Sequence, residues 1–491
     1  MNVINVDFKD FSNEKSLRFD FMHIDYVKKI FKSPSYSFKE LFDIVSETDD
    51  DYLDNDFLYA EIGDVNKNNE VFPSLLNFNN RDDDLINEPL YKKISKGDII
   101  KCKENDILIS KIRPNLKKIL FINEDHSNIY YTSAFVCLRP KIAPKILFYS
   151  LRTLFFRDLM ALSRQGKGYP TLSEKDLLPM KFSKRIVDYL ISNEEELLSK
   201  IEKLEDKIKI LKYDLIDEKY IINNTFKEVF KFNYSKFEEL KDIKMYNTSF
   251  SSFSRDVDTR FSVKFHRPAG QYVMKELLRI TDKKIKHFIS MPIITGHGIS
   301  PVDYDQDGDF FYVTMADIKD WKLNTEELKC ISNVCAEKKK TKKPRGMREH
   351  YPTTLEVNDI LMARSGEGTI GKVALIGEGE TGGIFCDFIM RIKLKNYNPQ
   401  FAYYYFRTSY FQYLIEIYKK GLGNNTNIFP PVVQEFPIPD VSLKEQQMVV
   451  DAIYKEINKQ NKIIEQIENK RKEIEELLLN SIKHHAISDF I

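Results

Sequence analysis

The chain repeats itself, and each copy runs into a helix with a heptad pattern. Asn105-Asp106-Ile107-Leu108-Ile109-Ser110-Lys111 aligns with Asn358-Asp359-Ile360-Leu361-Met362-Ala363-Arg364, and Leu151-Arg152-Thr153 aligns with Phe406-Arg407-Thr408. Phe155-Phe156 then matches Tyr410-Phe411, Gly166 matches Gly421, and Leu178-Pro179 matches Phe436-Pro437. Beyond these, Ile201, Leu204, Leu211 and Leu215 fall on Ile464, Ile467, Ile474 and Leu478. Long-period self-similarity constrains architecture before any local pattern does. It implies two related globular halves, each followed by a helix that needs a partner.

A length of 491 residues is ample for two to four domains with sizeable cores. The formal charge is only +1, so no global field draws the chain to a polyanion, and any such binding must come from local clusters. The five cysteines (Cys102, Cys137, Cys330, Cys335, Cys386) form no Cys-x-x-Cys pair and are odd in number. Neither a zinc site nor a disulfide framework is expected, and a reducing cytoplasm is the simple compartment. Met1 to Asp20 lacks the charged start and apolar stretch of a secretory signal. No run reaches the roughly 20 apolar residues that span a bilayer, so no membrane partner is expected.

Short runs rich in β-branched and aromatic residues alternate with turn formers. Tyr59 to Ile62, Ile99-Ile100, Asp106 to Ile109, Ile119 to Ile122 and Ala134 to Leu138 read as strands of a mainly antiparallel sheet. Ser16 to Phe42 and Pro144 to Leu162 have helical spacing. The second half repeats the order, with strands at Phe310 to Val313, Asp359 to Ala363, Val373 to Ile376 and Phe385 to Ile392. A helix follows over Pro399 to Tyr418. A basic run from Lys338 to Arg345, Lys342 included, has no counterpart in the first half.

Two heptad seams are the clearest local signal. The first runs through Leu190, Leu197, Ile201, Leu204, Ile208, Leu211 and Leu215. The second runs through Ile453, Ile457, Ile464, Ile467, Ile474 and Leu478, with Gln460 and Arg471 as polar interruptions. Charged flanks and sustained apolar seams argue for a coiled coil, and pairing within one chain costs the least entropy. The helix-pairing residues are therefore taken as Leu197, Ile201, Leu204, Ile208 and Leu211 against Ile457, Ile464, Ile467 and Ile474.

Gly366-Glu367-Gly368-Thr369-Ile370-Gly371-Lys372-Val373 has the glycine and lysine spacing of a phosphate-binding loop. It puts Val373 where a magnesium-binding Ser or Thr is required. A turn between strands is the expected form. Asn398-Pro399-Gln400-Phe401 superficially resembles a methyltransferase loop but lacks the second proline and an upstream glycine-rich cofactor loop. The histidines show no ligand spacing. No catalytic residue, metal site or cofactor is expected.

Polar and basic loops do recur at matching places: Lys111 to Lys118 with Arg364 to Lys372, and Arg164 to Tyr169 with Lys419 to Asn427. Arg and Lys can bond guanine edges, Asn and Gln adenine edges, and lysines nearby can hold phosphates. The candidate DNA-binding residues are Lys111, Arg113, Lys117, Arg164, Gln165, Lys167 and Tyr169 in the first half. In the second they are Lys338, Lys342, Arg345, Arg364, Ser365, Lys372, Lys420, Asn424, Asn425 and Asn427.

The stretch from Gly421 to Gln447 joins a Gly/Asn loop to Phe436-Pro437-Ile438-Pro439 and to Glu445-Gln446-Gln447 leading into a coil. With Arg364-Ser365-Gly366 and Thr369-Ile370-Gly371-Lys372, it resembles the specificity subunit of type I restriction-modification systems. The first-half version, Gly166 to Leu172 followed by Asp176-Leu177-Leu178-Pro179, departs at Ser183-Lys184-Arg185-Ile186, where Glu-Gln is expected. The resemblance implies an α+β fold. Two similar mainly-β target-recognition domains with attached helices are joined by two long antiparallel coiled-coil helices. The boundaries are then 1–185 and 231–440 for the domains, 186–230 and 441–491 for the helices. It implies a non-catalytic reader of a split site in double-stranded DNA, docking two methyltransferase subunits, with motor/endonuclease subunits joining for cleavage. A helix from Leu190 to Phe226, roughly 55 Å long, would space the half-sites. The rival expectations are a nucleotide-dependent enzyme or nuclease using Gly366 to Lys372, and a coiled-coil scaffold.

Overall fold

A computed structural model describes residues 26, 34–66, 68, 70–81, 87–165, 168–254, 262–326, 328–344, 346–366, 368–421 and 425–486. The chain divides into two compact units, Met1–Asp214 with Glu465–Ile491, and Leu215–Ile464.

In the first unit the β-rich runs form β1 (Phe42–Val45), β2 (Asp56–Ala60), β3 (Ser74–Asn77), β4 (Ile100–Lys101), β5 (Ile107–Ser110), β6 (Ile119–Phe121), β7 (Ile129–Tyr131) and β8 (Phe135–Pro140). One sheet has the order β1-β8-β5-β6 and is antiparallel throughout. The other has the order β3-β2-β7-β4, with β2 and β7 parallel. The run Ile-Leu-Ile-Ser in β5 is buried along its whole length, as a continuous apolar strand covered on both faces must be. The segment expected as one helix from Pro144 is two, α1 (Pro144–Arg152) and α2 (Phe156–Leu162). Thr153 leaves helical geometry, and its hydroxyl turns back to the Tyr149 carbonyl at 2.7 Å. Most of the helix expected over Ser16 to Phe42 lies outside the described residues. Within them Phe38–Leu41 is a single turn, and Phe42 already begins β1.

The first heptad stretch is not one rod. It forms α3 (Lys184–Ser192) and α4 (Glu194–Tyr213) in the first unit, and α5 (Glu218–Phe230) opens the second. The break after Tyr213 follows from Asp217, whose carboxylate accepts from the Lys219 and Tyr220 amides and restarts the helix as its N-cap. The expected 55 Å rod is therefore replaced by pieces of roughly 30 and 20 Å.

The second unit adds α6 (Pro268–Ile280), β9 (Ile294–Thr295), β10 (Phe310–Val313), β11 (Lys329–Ile331), β12 (Ile360–Ala363), β13 (Val373–Leu375), β14 (Ile384–Phe385), β15 (Ile389–Ile392), α7 (Pro399–Arg407) and α8 (Ser409–Tyr418). Helix α9 (Leu443–Ala486) begins in the second unit, and its residues from Glu465 on belong to the first. The sheets of the second unit have the orders β9-β15-β12-β13 and β11-β10-β14, with β10 and β14 parallel. The single strand expected over Phe385 to Ile392 is thus split between two sheets. The helix from Pro399 is likewise split, at Thr408, which caps α8.

The duplication extends to individual backbone bonds. Asn105 (φ 72°) and Asn358 (φ 71°) take the same left-handed turn, and each donates its amide across the strand pair, to Ile122 at 2.8 Å and to Ile376 at 2.9 Å. Asp106 and Asp359 each cap that turn through a backbone amide three residues earlier.

Helix α9 has 44 residues, roughly 66 Å of continuous helix. Ser442 and Glu445 start it with reciprocal side-chain–backbone bonds. Buried Gln446 accepts from the Asn398 amide at 2.8 Å. Asn398 in turn caps α7, its side chain accepting from the Gln400 and Phe401 amides, so the Asn-Pro motif forms a helix start.

On the seam, Leu197, Ile201, Ile208, Ile467, Ile474 and Leu478 are buried, while Leu204, Leu211 and Ile457 are half-buried. Ile464 departs from expectation: it is 44% exposed, and Ile463 turns partly inward instead. An α-helix has 3.6 residues per turn rather than 3.5, so a straight helix drifts off a strict heptad frame. In the second unit the Gln460 side chain accepts the Ile216 amide at 2.9 Å, at the break that precedes α5. In the first unit Glu70 pairs with Lys212 of α4 and lies 3.8 Å from Arg471 of α9. Among the described residues no helix is long and apolar enough to cross a membrane.

Candidate nucleic-acid interface

The turn after β5 and the turn after β12 sit in the same backbone frame. Lys111 donates its amide to Ala134 (2.9 Å) and accepts at its carbonyl from Leu172 (2.8 Å). Arg364 donates to Phe388 (2.9 Å) and accepts from Ile428 (2.9 Å). Two positions on, Arg113 donates to Pro170 (3.0 Å) and Gly366 to Thr426 (3.1 Å). Residues 111 and 364 are thus equivalent, as are 134 and 388, and 172 and 428. Each unit presents one corner made of two loops, and the side chains on the two corners differ.

In the second unit Arg364 is the centre. Its Nε donates to the Asp387 carbonyl (2.7 Å) and Nη1 to Asn427 Oδ1 (3.3 Å). Phe388 and Phe429 have ring centroids 5.8 and 5.5 Å from the guanidinium carbon. Among the described residues two of the five guanidinium N–H groups are therefore committed, and a donor edge remains for a ligand. Asn427 is occupied on both sides, since its Nδ2 donates to the Asn425 carbonyl at 2.9 Å. Ser365 is buried, with its hydroxyl on the Thr426 carbonyl at 3.2 Å. Lys420 and Asn427 exchange backbone bonds at 2.8 and 2.7 Å. Gly421 (φ 108°) has to be glycine there, because a Cβ would meet the Asn425 carbonyl oxygen at 2.3 Å. Lys372 is held through its backbone, which donates to Thr369 (3.0 Å) and accepts from Ala363 (2.9 Å), while its ammonium makes no hydrogen bond or ion pair among the described residues and is available to a phosphate.

The first unit has different side chains at its corner. Lys111 pairs with Glu174 at 2.9 Å, and Arg164 pairs with Asp176, whose carboxylate is buried. Exposed Arg113 lies over the Tyr169 ring at 5.5 Å, in a left-handed conformation (φ 51°). Lys117, expected on DNA, faces the helix instead: its Nζ meets Glu475 of α9 at 2.9 Å and lies over Phe156. Gln165 pairs through its backbone with Pro170, and Lys167 lies outside the described residues.

The basic insertion also divides. Lys338 is exposed at the end of a short helix, Asn333–Lys339. Lys342 turns inward, donating to Thr295 Oγ1 (3.0 Å) and to the Gly296 carbonyl, and burial lowers its ammonium pKa. Burial, with the Lys342 charge beside it, also lowers the pKa of His297. Lys342 thus staples the hairpin of Thr341–Lys342 and Tyr351–Pro352 to β9. Arg345 and Asn424 lie outside the described residues. Phe388 and Phe429 escaped the sequence reading, since an isolated Phe beside a strand looks like core until its equivalent position is known.

The segment from Gly366 to Lys372 joins strand β12 to strand β13. A phosphate-binding loop instead opens a helix whose first amides hold the anion, so this turn does not provide one.

Fold and corners together define a duplicated α+β chain with two matched but differently furnished loop platforms. The chain is similar to a solved structure reported for the complex assembly and conformational transition of the type I R-M system, with TM-score 0.38 and 13% identity over 91% of this chain and 97% of that one. It is also similar to the HsdS subunit of Thermoanaerobacter tengcongensis (TM-score 0.30, 12% identity, 91% and 96% covered). A third is the type I restriction-modification S subunit of M. genitalium (TM-score 0.37, 11% identity, 91% and 94% covered). No family model matches the chain, and no curated protein matches it.

Proposed function

We propose that the chain is the DNA-sequence-specificity subunit of a type I restriction-modification system. Each unit reads one part of a split, asymmetric site in double-stranded DNA. The carrying observation is a backbone repeated bond for bond whose corner side chains differ: Lys111 with Glu174 in one unit, Arg364 over Phe388 and Phe429 in the other. A fixed frame with divergent polar side chains suits two different half-sites, because base edges are read by side chains while the frame sets register.

The subunit itself supplies recognition, and chemistry comes from two methyltransferase subunits, with motor/endonuclease subunits added for cleavage. In the second unit, exposed Leu443, Tyr454 and Ile464 of α9 offer apolar side chains for docking. Apolar side chains repeated along an exposed helix suit a protein partner better than water. The near-zero net charge predicts modest DNA affinity for the lone subunit, with the partners completing the grip. Expression with its methyltransferase partner, followed by methylation mapping of host DNA, tests this. A two-part asymmetric motif with a constant spacer is expected, and a contiguous motif or none would refute it.

A further inference from the structure

Phe388 and Phe429 are 45% and 43% exposed, although phenyl rings gain most from burial. Their ring centroids lie 5.8 and 5.5 Å from a guanidinium already fixed by Asp387 and Asn427. The first unit shows this is not a demand of the fold. Ala134 occupies the position of Phe388, given the shared bond to residue 111 or 364. Ser173 occupies that of Phe429, one residue after the equivalent Leu172 and Ile428. Both Ser173 and Phe429 are N-cap residues of short helices, but the Ser173 amide and hydroxyl both donate to Asp176, and a phenyl ring has no hydroxyl to do so. The second unit has thus exchanged a small residue and a capping residue for two exposed rings beside one arginine.

Resting on the DNA-reading function above, we propose that Phe388 and Phe429 are specificity-determining residues that contact thymine C5-methyl groups beside the base pair reached by Arg364. The chemistry fits. In the major groove thymine differs from cytosine by an apolar methyl that phenyl rings recognise, while guanine offers two acceptors to an arginine fork. The first corner, with Lys111 paired to Glu174, has no such apolar element at these positions.

The test selects binding sites for the full-length chain from a pool of random duplex DNA, then replaces each thymine of the selected site by uracil. Removing the contacted methyl should weaken binding about fourfold, the worth of one buried methylene-sized group. The penalty should fall in one half-site only, and should vanish in F388A or F429A. F388L and F429L, which keep an apolar group and protect against any folding defect, should retain part of it. A selected site without thymine, uracil accepted everywhere, or a penalty that survives both alanine variants would overturn the proposal while leaving the reader function standing. Failure to enrich any sequence would bring down the reader function itself.

Discussion

Arg364 Nη1 meets Asn427 Oδ1 at 3.3 Å, tying the turn after β12 to the loop that follows α8. Both side chains were expected to touch DNA, but only the arginine keeps free donors. R364K should lower the preference for the selected site over a scrambled duplex by roughly tenfold or more, since lysine lacks the planar fork and such contacts are worth about 1–3 kcal/mol. N427A should act in the same direction and more weakly, through loss of positioning. Competition binding measures both, and an unchanged preference in R364K would remove Arg364 from the readers.

Lys117 and Lys372 separate anchoring from phosphate contact. Lys117 is engaged by Glu475, whereas Lys372 has no ion-pair partner among the described residues. K372A should reduce the slope of log affinity against log salt by about one. K117A should leave that slope alone and cost no more than about 1 kcal/mol of stability, because the pair is partly exposed. Equal slope changes in the two variants would reverse this assignment.

Neighbouring isoleucines on α9 should behave differently. Ile467 is 4% exposed and Ile464 is 44% exposed. I467A should destabilise the chain by about 2–4 kcal/mol, the usual range for a truncated core isoleucine. I464A should shift stability by under about 1 kcal/mol, as surface substitutions do, and weaken capture of the methyltransferase instead. Urea midpoints and co-purification read the two effects.

Glu435 accepts from Lys284 (2.8 Å) and Lys286 (2.8 Å), and these bonds hold its pKa below the ordinary carboxylate range. A depressed folded pKa gives stability that is present above the unfolded value of about 4.3 and lost as pH falls through the folded one. The stability difference between wild type and E435Q should therefore be constant from about pH 6 to 8 and disappear in acid. Solvent screening keeps it under about 1 kcal/mol. A difference that grows below pH 4 would contradict the pairing.

Much of this was legible in the residues. Asn105-Asp106 and Asn358-Asp359 announced identical turns because asparagine tolerates the left-handed region and aspartate accepts from a backbone amide close by in the chain. The seams announced helices that bury one face. The interruption at Asp214 to Asp217 was harder to read, since Leu215 and Ile216 keep the apolar period across it. So was the inward turn of Lys342, because a lysine in a basic run looks solvated until a carbonyl and a hydroxyl lie within its reach.

Local chemistry was enough to establish the duplicated α+β plan, the strand turns and the helical seams, since those depend on period, capping and φ preferences carried by neighbouring residues. Packing alone settled which cations stay free, that Ile463 rather than Ile464 turns inward, and that two phenyl rings lie beside Arg364. Those outcomes depend on contacts between residues tens to hundreds of positions apart, such as Lys117 with Glu475, and no local pattern encodes them.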